Sequence, residues 1–310
     1  LEKVVPMAND LAKCSHFFKE LAQTPIKADE FEKRYFKNYI FFISEILSEL
    51  RSRKIKTEDI AQINDLYFSI SKLYTSYGKL ETSKLSLLRK KLGSKILESL
   101  DKLNAAQFTQ FLESLNNFEI KSAVYNSKIA KVALNMIKAM SAEQFPLVLK
   151  YLTNMNFREE GIIEILTEKI YWNLAKYDIQ TKLMIIYQLN YIKFLPNKKF
   201  LIELAQSLIK DIENYPDGEL YYPYAPNLLS SLSELERRYT GGLIYLEELD
   251  PLYEKIVQSA KKNIQNYNAL ETMRIANGLQ RAAFYDKDLL HGIVHNVLSN
   301  DFFGFSEVYN

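Results

Sequence analysis

The feature that most limits what this chain can become is an apolar beat that returns at a fixed distance. In "FREEGIIEILTEKIYWNLAK", residues 157 to 176, Ile162, Leu166, Ile170 and Leu174 recur every four residues. Phe200, Leu204, Leu208 and Ile212 repeat that beat 38 positions later. Leu252, Ile256, Ala260 and Ile264 form another copy, and Leu290, Val294 and Leu298 follow it by 38. A weaker copy stands upstream at Ile129, Ala133 and Ile137. A four-residue step keeps side chains on one helical face, so each copy predicts an amphipathic helix, here called B.

A second segment precedes each B helix. It reads "QFTQFLESLNNF" (107–118), "QFPLVLKYLTNMNF" (144–157), "LMIIYQLNYIKF" (183–194) and "TMRIANGLQRAAFYDKDLL" (272–290). Leu115, Leu152 and Leu189 hold equivalent places, each 37 from the last. The repeating unit is therefore helix A with a leucine near its end, a short aromatic turn, and helix B. One such hairpin cannot bury its apolar faces alone, so neighbours must stack and share a core. The predicted fold is all-α: an α-solenoid of antiparallel helix pairs with a repeat of about 37–38 residues. Leu115, Leu152, Leu166, Ile170, Leu189, Leu204 and Leu208 are predicted core residues, and the whole chain should hold about fourteen helices.

The array is assigned to 103–310. Residues 1–102 are helical without clear register, either an N-terminal bundle or degenerate capping repeats, with helices near 6–23, 28–53, 57–76 and 80–100. Between Phe200 and Leu252 the offset grows to 52, which implies an insertion at about 215–250. Its turn-forming stretches are "YPDGELYYPYAP" and "RRYTGGLIYLEELD". With Pro216, Pro223 and Pro226 around it, the tyrosine stretch is expected to be removable without loss of fold. Tyr221, Tyr222 and Tyr224 then either form a preorganised contact surface or fold back to cover the gap.

The segments "SLNNFEI", "YLTNMNF", "QLNYIKF" and "GLQRAAFYDKDLL" resemble the helical repeats of organellar FAST-kinase-like, RAP-domain and octotricopeptide-type proteins, here without the RAP module. The resemblance covers roughly 103–300. It implies a mitochondrial or plastid protein that handles RNA or is lodged in an organellar complex, with the mitochondrial matrix side as the expected location.

Composition narrows the chemistry. Nine Gly and eight Pro are too few for a fold of many tight turns or Gly-rich phosphate loops. Cys14 is the only cysteine, so no disulfide framework or Cys-based metal site is expected, and a reducing compartment fits. No apolar run reaches the roughly 18–20 residues of a membrane-spanning helix. No nucleotide-binding or hydrolase motif occurs. In "HGIVH", His291 and His295 share a face, but Gly292 stands where a zincin needs Glu. No catalytic residue, metal site or cofactor is expected.

Charge is uneven. Residues 1–102 hold 19 basic and 14 acidic residues (+5), and 103–310 hold 21 and 24 (−3). An RNA-binding array would carry its positive charge along the repeats, because phosphate contacts dominate affinity. Here the basic groups are Arg51, Arg53, Lys54 and Lys56, and Lys84, Lys91 and Lys95 on one helical face. They are either solvated or meet an anionic neighbour. The expected partners are protein subunits of a larger assembly, and the expected role is a non-enzymatic scaffold or accessory subunit. The alternative is RNA, reached through the basic N-terminal region, in organellar RNA metabolism or the mitoribosome.

Overall fold

The computed structural model describes residues 11–26, 31, 39–44, 46, 60–77, 82–215, 218–241 and 246–300. Among them every regular element is helical. The α-helices are α1 (Leu11–Gln23), α2 (Ile60–Ser76), α3 (Ser83–Glu98), α4 (Ala105–Asn117), α5 (Ala123–Lys138), α6 (Gln144–Asn154) and α7 (Glu160–Tyr171). They continue as α8 (Ile179–Ile192), α9 (Lys198–Glu213), α10 (Ala225–Thr240), α11 (Asp250–Asn263), α12 (Ala269–Arg281) and α13 (Lys287–Ser299). A further helical segment lies at 39–44.

This is an all-α helical-repeat fold. The B helices start at Ala123, Glu160, Lys198, Asp250 and Lys287, at offsets of 37, 38, 52 and 37. All seven predicted core residues are fully buried.

The repeated leucine has a backbone cause. Leu115, Leu152, Leu189 and Leu279 each accept at their carbonyl from the N–H five residues on, that of Ile120, Phe157, Phe194 and Phe284, at 2.9–3.1 Å. The residue just before that N–H is left-handed: Glu119 (φ 55°), Asn156 (φ 58°), Lys193 (φ 59°) and Ala283 (φ 50°). That is the Schellman ending, in which an apolar residue past the turn packs against one in the last turn of the helix. The "leucine, then aromatic turn" pattern is thus a helix stop that redirects the chain into helix B. Return turns recur as well. The 3₁₀ turns Leu100–Lys102, Leu174–Lys176 and Ile264–Asn266 are each followed by an extended residue and then by Asn104, Asp178 or Asn268. Those three side chains cap the next A helix by accepting from the N–H of Gln107, Thr181 and Glu271.

The chain divides into two compact units, Leu1–Ile162 and Ile163–Asn310. In the first, α2 packs on α4 and α4 on α6, while α3 packs on α5, and α1 lies against α2. Asparagines tie successive A helices: Asn64 Nδ2 donates to the Gln107 carbonyl at 3.1 Å, and Asn154 Nδ2 to Asn116 Oδ1 at 2.7 Å. In the second, α8, α10 and α12 form one row and α9, α11 and α13 the other. The buried Lys182 of α8 reaches Asp211 of α9 at 2.6 Å.

The structure corrects three sequence expectations. In α13 the inward residues are Leu289, Ile293 and Asn296, whereas Val294 and Leu298 are 58% and 66% exposed. The true offset from Leu252 is 37 rather than 38, and one residue of slip turns a helix by about 100°. Leu174 and Ile264 are core residues of the 3₁₀ turns, not of the B helices. Arg237–Thr240 belongs to α10, which ends at the left-handed Gly241, so the second inserted stretch begins there.

Candidate functional site

Two aromatic surface hollows lie in the Ile163–Asn310 unit. The first is built from the inserted tyrosines. Past α9 the chain turns at Gly218 (φ 60°), and Glu219 pairs with Lys262. Leu220 is buried, and its carbonyl accepts from Ser259 Oγ at 2.8 Å. Tyr222–Tyr224 forms a short 3₁₀ turn leading into α10, whose first residue, Ala225, is buried. The Tyr267 hydroxyl donates to the Tyr222 carbonyl at 2.9 Å, and their rings lie 6.0 Å apart.

The segment is therefore fastened to α11 and to the turn after it. Removing it would remove buried side chains, contrary to the expectation that it is dispensable. Its tyrosines divide between the two alternatives. Tyr222 and Tyr224 are half-buried, while Tyr221 is 55% exposed with its ring edge-on to both, at 5.5 and 5.4 Å. Together with Tyr215, Gln180 and Asn263 they line a hollow of about 450 Å³.

The second hollow was not anticipated. Trp172, the only tryptophan, directly follows α7 and is 72% exposed. Its N–H still bonds the Glu168 carbonyl at 3.1 Å, so it continues the helical face that carries Glu164 and Glu168. Tyr171 lies edge-on to Trp172 at 5.1 Å and to Phe200 of α9 at 6.0 Å. The Tyr171 hydroxyl donates to Glu203 Oε1 at 2.8 Å, which fixes that ring. Leu195 and Pro196, in the turn between α8 and α9, close the far side, and Tyr239 donates its hydroxyl to the Pro196 carbonyl. The groove holds about 400 Å³. Lys199 stands at its edge 3.7 Å from Glu203, and the adjoining Tyr171 hydroxyl, then Glu203, raise its pKa above the ordinary lysine value. The available signal was the lone Trp in a seven-residue connection, 172–178, where the connections 139–143 and 264–268 have five.

The basic residues fare differently. Arg51, Arg53, Lys54 and Lys56 lie outside the described residues. Lys84, Lys91 and Lys95 all fall on α3, the first and last exposed and Lys91 half-buried. Lys84 Nζ donates to Ser44 Oγ at 2.9 Å, and Lys95 pairs with Glu98 at 3.3 Å. At the other end, the exposed His295 has Gln265 Nε2 and Ser299 Oγ each 3.3 Å from Nδ1. Among the described residues no group of three His, Cys, Asp or Glu side chains is placed to hold a metal ion. No helix among them is long and apolar enough to cross a membrane.

No family model matches the chain, and no curated protein matches it in sequence.

Proposed function

We propose that this chain is a non-catalytic helical-repeat scaffold that binds other proteins through the aromatic hollows of its second unit, as an accessory subunit of a larger assembly. The observation that carries the reading is Trp172. Its exposed indole stands next to Leu195, Pro196 and Phe200 of the same groove rather than alone, and Trp, with Tyr and Arg, is a residue type enriched among binding hot spots. The anchored Tyr221 adds a second rigid aromatic, which loses little conformational entropy on docking. The organellar, mitochondrial placement belongs to this proposal and rests on the resemblance of the repeats.

The test is recovery of partners from native extracts by the wild-type chain and by Trp172→Ala and Tyr221→Ala. Both side chains project outward, so melting should stay within about 1–2 °C while bound proteins fall several-fold. Undiminished recovery by both variants would sink the reading. If RNA rather than protein is recovered, and the recovery depends on Lys84, Lys91 and Lys95, the RNA-binding alternative replaces it.

A further inference from the structure

We infer that the Trp172 groove receives a cationic side chain, arginine or lysine, carried next to an apolar residue on an extended segment of a partner protein. The inference rests on the scaffold reading and specifies what the partner must present.

Charge complementarity decides the occupant. Glu164, Glu168 and Trp172 follow one another at four-residue steps along the groove wall. Both carboxylates are exposed, and among the described residues no cation pairs with either. By contrast, Glu203, one turn beyond Lys199 on α9, is already engaged by Tyr171 and Lys199. The rim therefore carries two uncompensated negative charges beside the exposed face of an indole. Tryptophan is the strongest cation–π acceptor, and a guanidinium can stack on the ring while donating to a carboxylate beside it.

The rest of the groove sets the second requirement. Phe200 and Pro196 are buried and Leu195 is exposed, which gives an apolar patch beyond the rim. A cavity of about 400 Å³ is small even for a ligand pocket, which commonly spans about 300–1,000 Å³. It suits one or two side chains of an extended segment rather than a helix face. A nucleic-acid base could also stack on Trp172, but its phosphates would face Glu164 and Glu168 and be repelled.

Because Trp172 is the only tryptophan, its emission reports on this groove alone. The full chain is titrated with the peptide acetyl-Leu-Arg-Leu-Arg-Leu-amide, with versions carrying citrulline or glutamate for arginine, and with oligouridylate. The arginine peptide should give a saturable change that weakens with added salt. Citrulline should bind roughly tenfold more weakly, and the glutamate peptide and oligouridylate should give no saturable change. Glu164→Gln/Glu168→Gln should weaken the arginine peptide by about the same factor, with circular dichroism and melting unchanged. Equal binding of the citrulline peptide, saturable binding of oligouridylate, or no response to arginine at millimolar peptide overturns the inference. If the inference fails while partner recovery still depends on Trp172, the scaffold reading stands and only the cationic occupant is lost.

Discussion

At the scale of single residues, the most informative side chain is Glu236, because it does work that the repeat pattern does not require. It sits in α10 ahead of the longest connection between an A and a B helix, 241–249, where the other described A-to-B turns have five residues. Glu236 is buried, and its carboxylate accepts from the Leu246 N–H and from the Tyr253 hydroxyl at 2.6 Å, fastening the end of that connection to α11. Burial pushes its pKa above the ordinary glutamate value of 4.5, and the two hydrogen bonds oppose that only in part. A raised pKa means that the folded chain holds this proton more tightly than the unfolded chain does. Stability from this group is then fully present below pH 4.5 and is lost as pH rises through the folded value. Glu236→Gln keeps an acceptor for Leu246 and cannot ionise. Urea midpoints of the two proteins compared from about pH 4 to pH 8 should show the variant gaining on wild type across that window. A difference independent of pH would mean that the carboxylate is not shifted.

At the scale of elements, close packing depends on which glycines have room. A Cβ on Gly278 of α12 would lie 2.6 Å from Leu229 Cγ and 3.1 Å from the Leu229 carbonyl carbon, so α10 and α12 meet almost backbone to backbone there. Gly161, in the first turn of α7, has nothing within 4 Å of such a Cβ. Alanine has the better helix propensity by about 0.8–1.0 kcal/mol, and that term is similar at both sites. At Gly161 nothing opposes it, so Gly161→Ala should stabilise by up to about 1 kcal/mol, less any loss from its place in the first turn. At Gly278 overpacking of about 1–3 kcal/mol opposes it and wins, so Gly278→Ala should lower the denaturant midpoint. A stabilised Gly278→Ala would show that the two helices are not in such close contact.

The elements also show what sequence reading could reach. The 37–38-residue period and the core leucines were legible because each repeat must bury the same face and stop its A helix in the same way. The register of α13 was not, since Leu289 and Leu290 both fit a four-residue beat and only burial separates them. The Trp172 groove was not legible either. Its walls come from α7 and from the turn before α9, and nothing in the local pattern of either announces the other. Tyr221, Tyr222 and Tyr224 were found by composition, but their anchoring depends on Ser259 and Tyr267, about forty residues away.

At the scale of the whole molecule, charge is what differs along the chain, and it locates the remaining testable surface. The net +2 hides a +5 stretch over 1–102 and a −3 remainder. Lys84 and Lys95 already have neighbours of their own, but neither is consumed by them. A hydroxyl does not neutralise Lys84, and the Lys95–Glu98 pair is an exposed contact of a kind worth about 0–1 kcal/mol. Residual positive potential therefore remains on α3, and an anionic face of a neighbouring subunit or of RNA would feel it. Such an attraction acts through water and is damped over a Debye length of about 8–10 Å at ordinary ionic strength. Lys84→Glu/Lys91→Glu/Lys95→Glu changes the local charge by six units, while the inward Leu85, Leu88 and Leu92 of α3 are untouched. The triple variant should fold normally and lose incorporation into the proposed assembly at low salt. The defect relative to wild type should shrink as salt is raised, because salt weakens the wild-type attraction too. Normal incorporation at low salt would show that these lysines are simply solvated, and the proposed scaffold role would then rest on the aromatic hollows of the Ile163–Asn310 unit alone.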